Sequence, residues 1–392
     1  MRKLFLAIIP LLAAAASCVY PFEPEIIHEE RNLVIEGDIL VGAESTVTLS
    51  YMSYLDEKTS DTVPAGQVCV QSLSGREYAA RSESVDASGR SFVIDLSSAP
   101  ADDGYRLSVI LRDGREYASE WLRPRVAPVI DDVTHEASDD DVVKFNLSLH
   151  SDDGEQYFRW TFDEDWEYRT YYKAEYYYVP PVQGDEEHPN GQILPFSPGQ
   201  GTRYCWKKGS STALMLTTTK ELSSDIVTEK NFYRIDADNQ KLSILYAMNV
   251  KAESLSEDAY RYWKNMSSNS DNVGNLFAPI PSEMRGNIRS LSDTTELVLG
   301  YINVSMVAQK RIFVDNDVTG YYTVPWKLAD DEVSQIIEPE EWKSAYYSSK
   351  YQYRPVAKGE GSDYYWAPIK CVDCRYQGGT KDKPSYWPNN HY

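Results

Sequence analysis

Between residues 33 and 121 the chain runs through short segments rich in β-branched and aromatic residues, each closed by glycine or acidic turn residues. They fall at 33–41, 46–50, 67–73, 91–96, 105–112 and 116–121, and the last two flank Asp113-Gly114, a strong hairpin signal. Strands this short cannot bury their apolar faces singly. Their spacing predicts a two-layer β-sandwich of the immunoglobulin or transthyretin type over residues 33–126, with Pro124 and Pro128 marking its end.

The remainder, 127–392, reads as a larger β-rich domain with a few helices, so the whole chain is expected to be mainly β. Residues 142–150 alternate apolar and polar side chains, as a strand buried on one face should. Residues 157–179 are dense in aromatics, and 180–201, broken by prolines and glycines, reads as a long surface loop. The clearest helix is 256–266, with a Ser254–Glu257 capping box and a core-facing stripe of Ala259, Tyr262, Trp263 and Met266. Segments 297–305 and 311–314 are read as a strand pair, and Asp315 to Gly320 as a hairpin turn in preference to a calcium loop.

The start of the chain carries a different kind of signal. Met1-Arg2-Lys3 is basic, 4–16 is apolar but too short to span a bilayer, and Ala15-Ala16-Ser17 places small residues before Cys18. A cysteine at the first mature position makes 1–17 a lipoprotein signal peptide, Cys18 the lipidated residue and 18–32 a polar tether. No later stretch is apolar enough for a transmembrane helix, so attachment to the membrane rests on the lipid anchor. The net charge is −21, and cleavage would remove Arg2 and Lys3, which argues against nucleic acid or anionic headgroups as partners.

The residues that carry chemistry are few. Cys371 and Cys374 have C-x-x-C spacing, for which an exported chain favours a disulfide over zinc or thiol exchange. Whether Cys205 bonds one of them is left open by the sequence. The five histidines show no metal-binding spacing, and no nucleotide, cofactor or hydrolase fingerprint is present, so no catalytic or metal residue and no cofactor are expected. Glu164 or Glu167 could serve a glycosidase only if two carboxyl groups stood about 5 to 9 Å apart in a cleft; Arg159 is expected to pair with one of the nearby acids. With 30 tyrosines and 9 tryptophans, the aromatics are the best ligand or partner candidates, above all Trp160, Trp166, Tyr172, Tyr176, Trp206 and Trp366. The run Tyr176-Tyr177-Tyr178 must turn at least one ring outward on a strand.

A series of segments in order carries a resemblance: Tyr157-Phe158-Arg159-Trp160, Glu164-Asp165-Trp166-Glu167, Cys205-Trp206, Leu255-Ser256-Glu257-Asp258-Ala259, Gly286-Asn287-Ile288, Val298-Leu299-Gly300-Tyr301, Cys371-Val372-Asp373-Cys374 and Lys383-Pro384-Ser385-Tyr386-Trp387. With the lipobox-like start, the chain resembles the Bacteroidota family of domain of unknown function 4249. That resemblance implies an outer-membrane lipoprotein, commonly encoded beside a TonB-dependent transporter, with no settled activity. The expectation is a non-enzymatic, lipid-anchored accessory or ligand-capture subunit of such a transporter, exposed at the cell surface. The rival is a free-standing glycan-binding or adhesin lipoprotein.

Overall fold

The computed structural model describes residues 32–52, 62–86, 88–138, 140–197, 201–211, 213–222, 225–271, 286–319 and 333–388. The signal segment, Cys18 and the tether up to residue 31 lie outside the described residues.

Seven strands build the first unit: β1 (Leu33–Leu40), β2 (Glu44–Tyr51), β3 (Ala65–Ser72), β4 (Glu77–Asp86), β5 (Gly89–Asp95), β6 (Tyr105–Leu111) and β7 (Glu116–Ser119). One layer pairs β1-β2-β5-β4 and the other β4-β3-β6-β7. Ile35, Leu49 and Ile94 from the first layer meet Val70, Leu107 and Val109 from the second in one core. Burial on β6 alternates at every residue, the period that drives such a face together. Strand β4 had no sequence signal, because almost every residue on it is exposed. Its first residues pair with β3 and the rest with β5, so it is held by backbone hydrogen bonds where the chain crosses between layers.

The second unit contains β8 (Val129–Ser138), β9 (Val142–His150), β10 (Tyr157–Arg169), β11 (Tyr176–Val179), β12 (Gln192–Pro195), β13 (Tyr204–Ser210), β14 (Met215–Thr218), β15 (Ile226–Asp236) and β16 (Leu245–Ser254), then helix α1 (Glu257–Asp271). The sheet β15-β9-β8 packs on the sheet β13-β10-β16-β20, where β20 is Val307–Asp315. Phe145 and Leu147 of the one meet Phe158, Trp160, Phe162, Met248 and Val250 of the other. The helix is capped by Ser256, whose Oγ accepts from the Ala259 amide at 3.0 Å; Ser254, the expected cap, donates to the Val126 carbonyl at 2.6 Å. Its face is as expected, with Ala259 and Tyr262 buried against Tyr301.

Residues 286–305 depart from the sequence reading. Rather than pairing with 311–314, they supply β17 (Ile288–Ser290), β18 (Val298–Leu299) and β19 (Asn303–Ser305) to the first unit. Strand β17 pairs with β7, and β18 and β19 run parallel to β1. Gly300 divides β18 from β19 at φ +120°, and a Cβ there would stand 1.9 Å from the Ile35 carbonyl oxygen. Segment 311–314 instead lies in β20, paired with β16, and the expected hairpin turn after it is a 3₁₀ turn at Asn316–Thr319.

A third group of elements sits on the second sandwich. Strands β21 (Gln335–Ile336), β22 (Tyr353–Lys358) and β23 (Tyr364–Pro368) form a small sheet in the order β21-β23-β22, with the short helix α2 (Trp342–Tyr346) beside it. Segment 180–201 is no plain loop: its residues 192–195 return as β12 to pair with β11. Tyr178, Trp342 and Trp366 form the core that joins this hairpin to the small sheet.

Candidate functional site

Alternation along β11 sorts its three tyrosines. Tyr178 turns inward, its ring 5.5 Å from Trp366 and 5.2 Å from Tyr346. Tyr177 turns out, 37% exposed, with its ring 5.3 Å from Phe196, while Tyr176 is half-buried 5.3 Å from Tyr364. Between this hairpin and the turns after β23 lies a cleft of about 610 Å³, with Tyr176, Tyr177, Phe196, Tyr346, Arg354 and Arg375 in its wall. A second cleft of about 620 Å³ adjoins it across Ala174, Phe196 and Thr202, and adds Lys173, Arg203 and Tyr204. Both volumes suit a small-ligand site.

The cations here are held in different ways. One nitrogen of Arg354 donates to the carbonyls of Tyr346, Gln352 and Tyr353 at 2.9 to 3.1 Å, and its guanidinium lies 3.9 Å over the Tyr346 ring. Burial pulls its pKa below the usual arginine value. No carboxylate forms a salt bridge with Arg354 or Arg203 among the described residues, whereas Arg375 binds Asp373 through two nitrogens.

Of the six aromatic candidates, only Tyr176 lines this cleft. Trp160, Trp206 and Trp366 are buried, at 3%, 7% and 0% exposure, so the reading of these three as contact residues is corrected: each faces a core from its strand. Trp166 is half-buried, with the Lys241 ammonium 5.1 Å from its ring. Tyr172 is half-buried too, and its hydroxyl accepts from the Ser334 amide at 2.9 Å. Sequence reasoning missed Tyr346, Arg354, Phe196 and Arg203, which come together only through the packing of remote segments.

The expected Cys371–Cys374 bond is also corrected. Cys205 and Cys374 form the disulfide, and Cys371 is a buried thiol outside it. The two members of the C-x-x-C lie on successive 3₁₀ turns, Ile369–Cys371 and Cys374–Gln377. The Cys374 amide donates to the Thr202 carbonyl at 2.9 Å, which sets this residue against the start of β13 where Cys205 lies.

The two carboxylate candidates of β10 do not converge. Glu164 and Glu167 are three positions apart on one strand and point to opposite faces. Glu164 accepts from Lys241 at 2.5 Å, Tyr246 at 2.8 Å and Tyr233 at 3.2 Å, and with burial it pushes the Tyr246 phenol far up. Glu167 accepts from the Trp387 indole at 2.9 Å. Arg159 pairs with neither; it bridges Asp38 of the first unit and Glu253 of the second, 5.1 Å from the Trp263 ring. Glu253 also accepts from Asn303 at 3.1 Å and Ser305 at 2.8 Å, so the cluster joins β1, β10, β16 and β19. Burial, and then the charge of Glu253, push the Asp38 carboxyl up to about 7 against the pull of Arg159.

Solved structures resemble the chain only loosely. A DUF4785 family protein of Legionella pneumophila is 10% identical, covering 56% of this chain and 52% of its own, with a TM-score of 0.18. The FN1–FN3 domains of chicken CNTN1 are 11% identical over 57% of this chain and 62% of theirs, with a TM-score of 0.17. Murine CEACAM1b is 12% identical over 57% and 92%, with a TM-score of 0.13. No curated protein matches the sequence. The model of one family, described as "Domain of unknown function (DUF4249)", matches residues 19–311, which takes in both sandwiches and one wall of the cleft. The chain belongs to that family.

Proposed function

We propose that this protein is a non-enzymatic lipoprotein of the Bacteroidota outer membrane, anchored through Cys18 at the cell surface, that captures a ligand for a TonB-dependent transporter. The observation that carries this reading is the aromatic cleft: it presents Tyr176, Tyr177 and Phe196 beside guanidinium groups, the furniture of a binding site. The lipobox-like start supplies the anchor, and several acyl chains on one residue exceed what reversible attachment needs. Further rings stand outward around the same elements, with Tyr347 62%, Tyr376 52% and Tyr365 39% exposed. They suit contact with a large partner as well as with a ligand. The same rings favour a second reading, a free-standing glycan binder.

Membrane fractionation tests the anchor. Cys18→Ala should move the protein from the detergent phase to the soluble fraction, and ligand uptake by whole cells should fall with it although the cleft is untouched. Unchanged partitioning of the variant would overturn the lipoprotein reading.

A further inference from the structure

The paired clefts differ in charge from the rest of the molecule. The chain carries 60 acidic against 39 basic side chains, yet the cleft walls carry Lys173, Arg203, Arg354 and Arg375 against Glu175 and Asp373. Asp373 is already engaged by Arg375, and Glu175 stands 3.9 Å from Lys173. Neither Arg203 nor Arg354 forms a salt bridge with a carboxylate among the described residues, and the Asp373 charge that reaches Arg354 is shared with Arg375. Arg354 keeps its place through three carbonyls, the Tyr346 ring face and the Tyr376 hydroxyl, contacts that orient the guanidinium without a salt bridge to it. A partly desolvated cation held in that way is stabilised by an anion that arrives from outside.

The rest of the wall narrows the class of anion. Tyr176, Tyr177, Tyr346 and Tyr204, each carrying both a ring and a hydroxyl, line the two compartments together with Phe196. Such a lining offers flat apolar faces and many hydrogen-bonding groups, which matches polyhydroxylated rings better than a peptide, whose extended backbone needs an open strand edge or apolar pockets. Two adjoining compartments suit a chain of linked rings more than a single small anion.

We infer that the groove from Lys173 and Arg203 to Arg354 binds an acidic oligosaccharide, with uronate carboxylates received by Arg203 and Arg354 and sugar faces stacked on Tyr176 and Tyr177. This assignment rests on the ligand-capture reading above and names its ligand class. Attraction between these cations and carboxylates should weaken as salt shortens the screening length from about 10 Å at 0.1 M.

Calorimetry on the detergent-solubilised full chain tests it, with tetragalacturonate, neutral cellotetraose and an acidic peptide as probes. Tetragalacturonate should bind at least tenfold more tightly than cellotetraose, and affinity should fall at higher salt. Arg203→Gln and Tyr177→Ala should each weaken it about tenfold or more, which corresponds to about 1.4 kcal/mol, with thermal unfolding unchanged. Equal binding of the neutral probe, preference for the acidic peptide, or no binding of any of the three would overturn the assignment. Those outcomes leave the capture reading standing if the protein still co-purifies with a transporter. Loss of that association with tetragalacturonate binding intact would overturn the capture reading and keep the ligand class.

Discussion

A single carboxyl group makes the junction of the two sandwiches sensitive to pH. Asp38 is half-buried beside Arg159 and Glu253, and desolvation together with the Glu253 charge raises its carboxyl from an ordinary 3.8 to about 7. A group raised on folding contributes stability that is fully present below its unfolded value and lost as pH rises through the folded one. The melting temperature should therefore decline between about pH 4 and pH 7 as a second negative charge forms in the cluster. Asp38→Asn, which cannot ionise, should flatten that decline; a wild-type slope retained in the variant would remove Asp38 as its source. The cysteines give a second test at this scale. Peptide mapping without reductant should recover Cys205 linked to Cys374, and Cys371 should take up an alkylating agent only after denaturation. Closing a loop with a sequence separation of 169 implies that Cys205→Ser costs about 2 to 5 kcal/mol. A Cys371–Cys374 peptide would contradict the described fold around β13.

Elements were legible where one face is buried. Strand β9 alternates half-buried and buried residues along its whole length, and the sequence shows the same period. Strand β4 was not legible, because its stabilisation is backbone pairing on two sides with little side-chain burial. Segment 297–305 showed the right composition but not its partner: pairing across more than two hundred residues leaves no local trace, and only Gly300 hints at it. The site was less legible than the fold. Tyr176 could be named from a tyrosine run, but Arg354 acquires its role from three carbonyls and a ring that local composition does not reveal. Trp160, Trp206 and Trp366 misled because aromatic density looks the same whether a ring faces a core or a ligand. Gly300→Ala tests the crossing directly. Its Cβ would meet a carbonyl oxygen in addition to adopting a positive φ, so the substitution should cost at least about 2 kcal/mol. Gly42→Ala has φ +86° but nothing within 4 Å, and should cost less; equal losses in denaturant melts would mean that backbone conformation alone fixes Gly300.

For the whole molecule, the two sandwiches are laced together more closely than their order in the chain implies. Strands β17 to β19 return from beyond the second core to complete the first, and the Arg159 cluster ties the same junction. The aromatic cleft is built from residues 174–202 and 346–375, segments braced by the Cys205–Cys374 bond. On the proposed reading, the tether from Val19 to Asn32 reaches at most ~50 Å when extended, which holds the first sandwich close to the membrane and raises the local concentration of any membrane neighbour. A modest interface can then hold a stable complex. The measurement that bears most directly on this account is affinity purification of the full chain through a C-terminal tag in mild detergent. It should recover a TonB-dependent transporter in near-equal amount, and recovery of this protein alone would contradict the account.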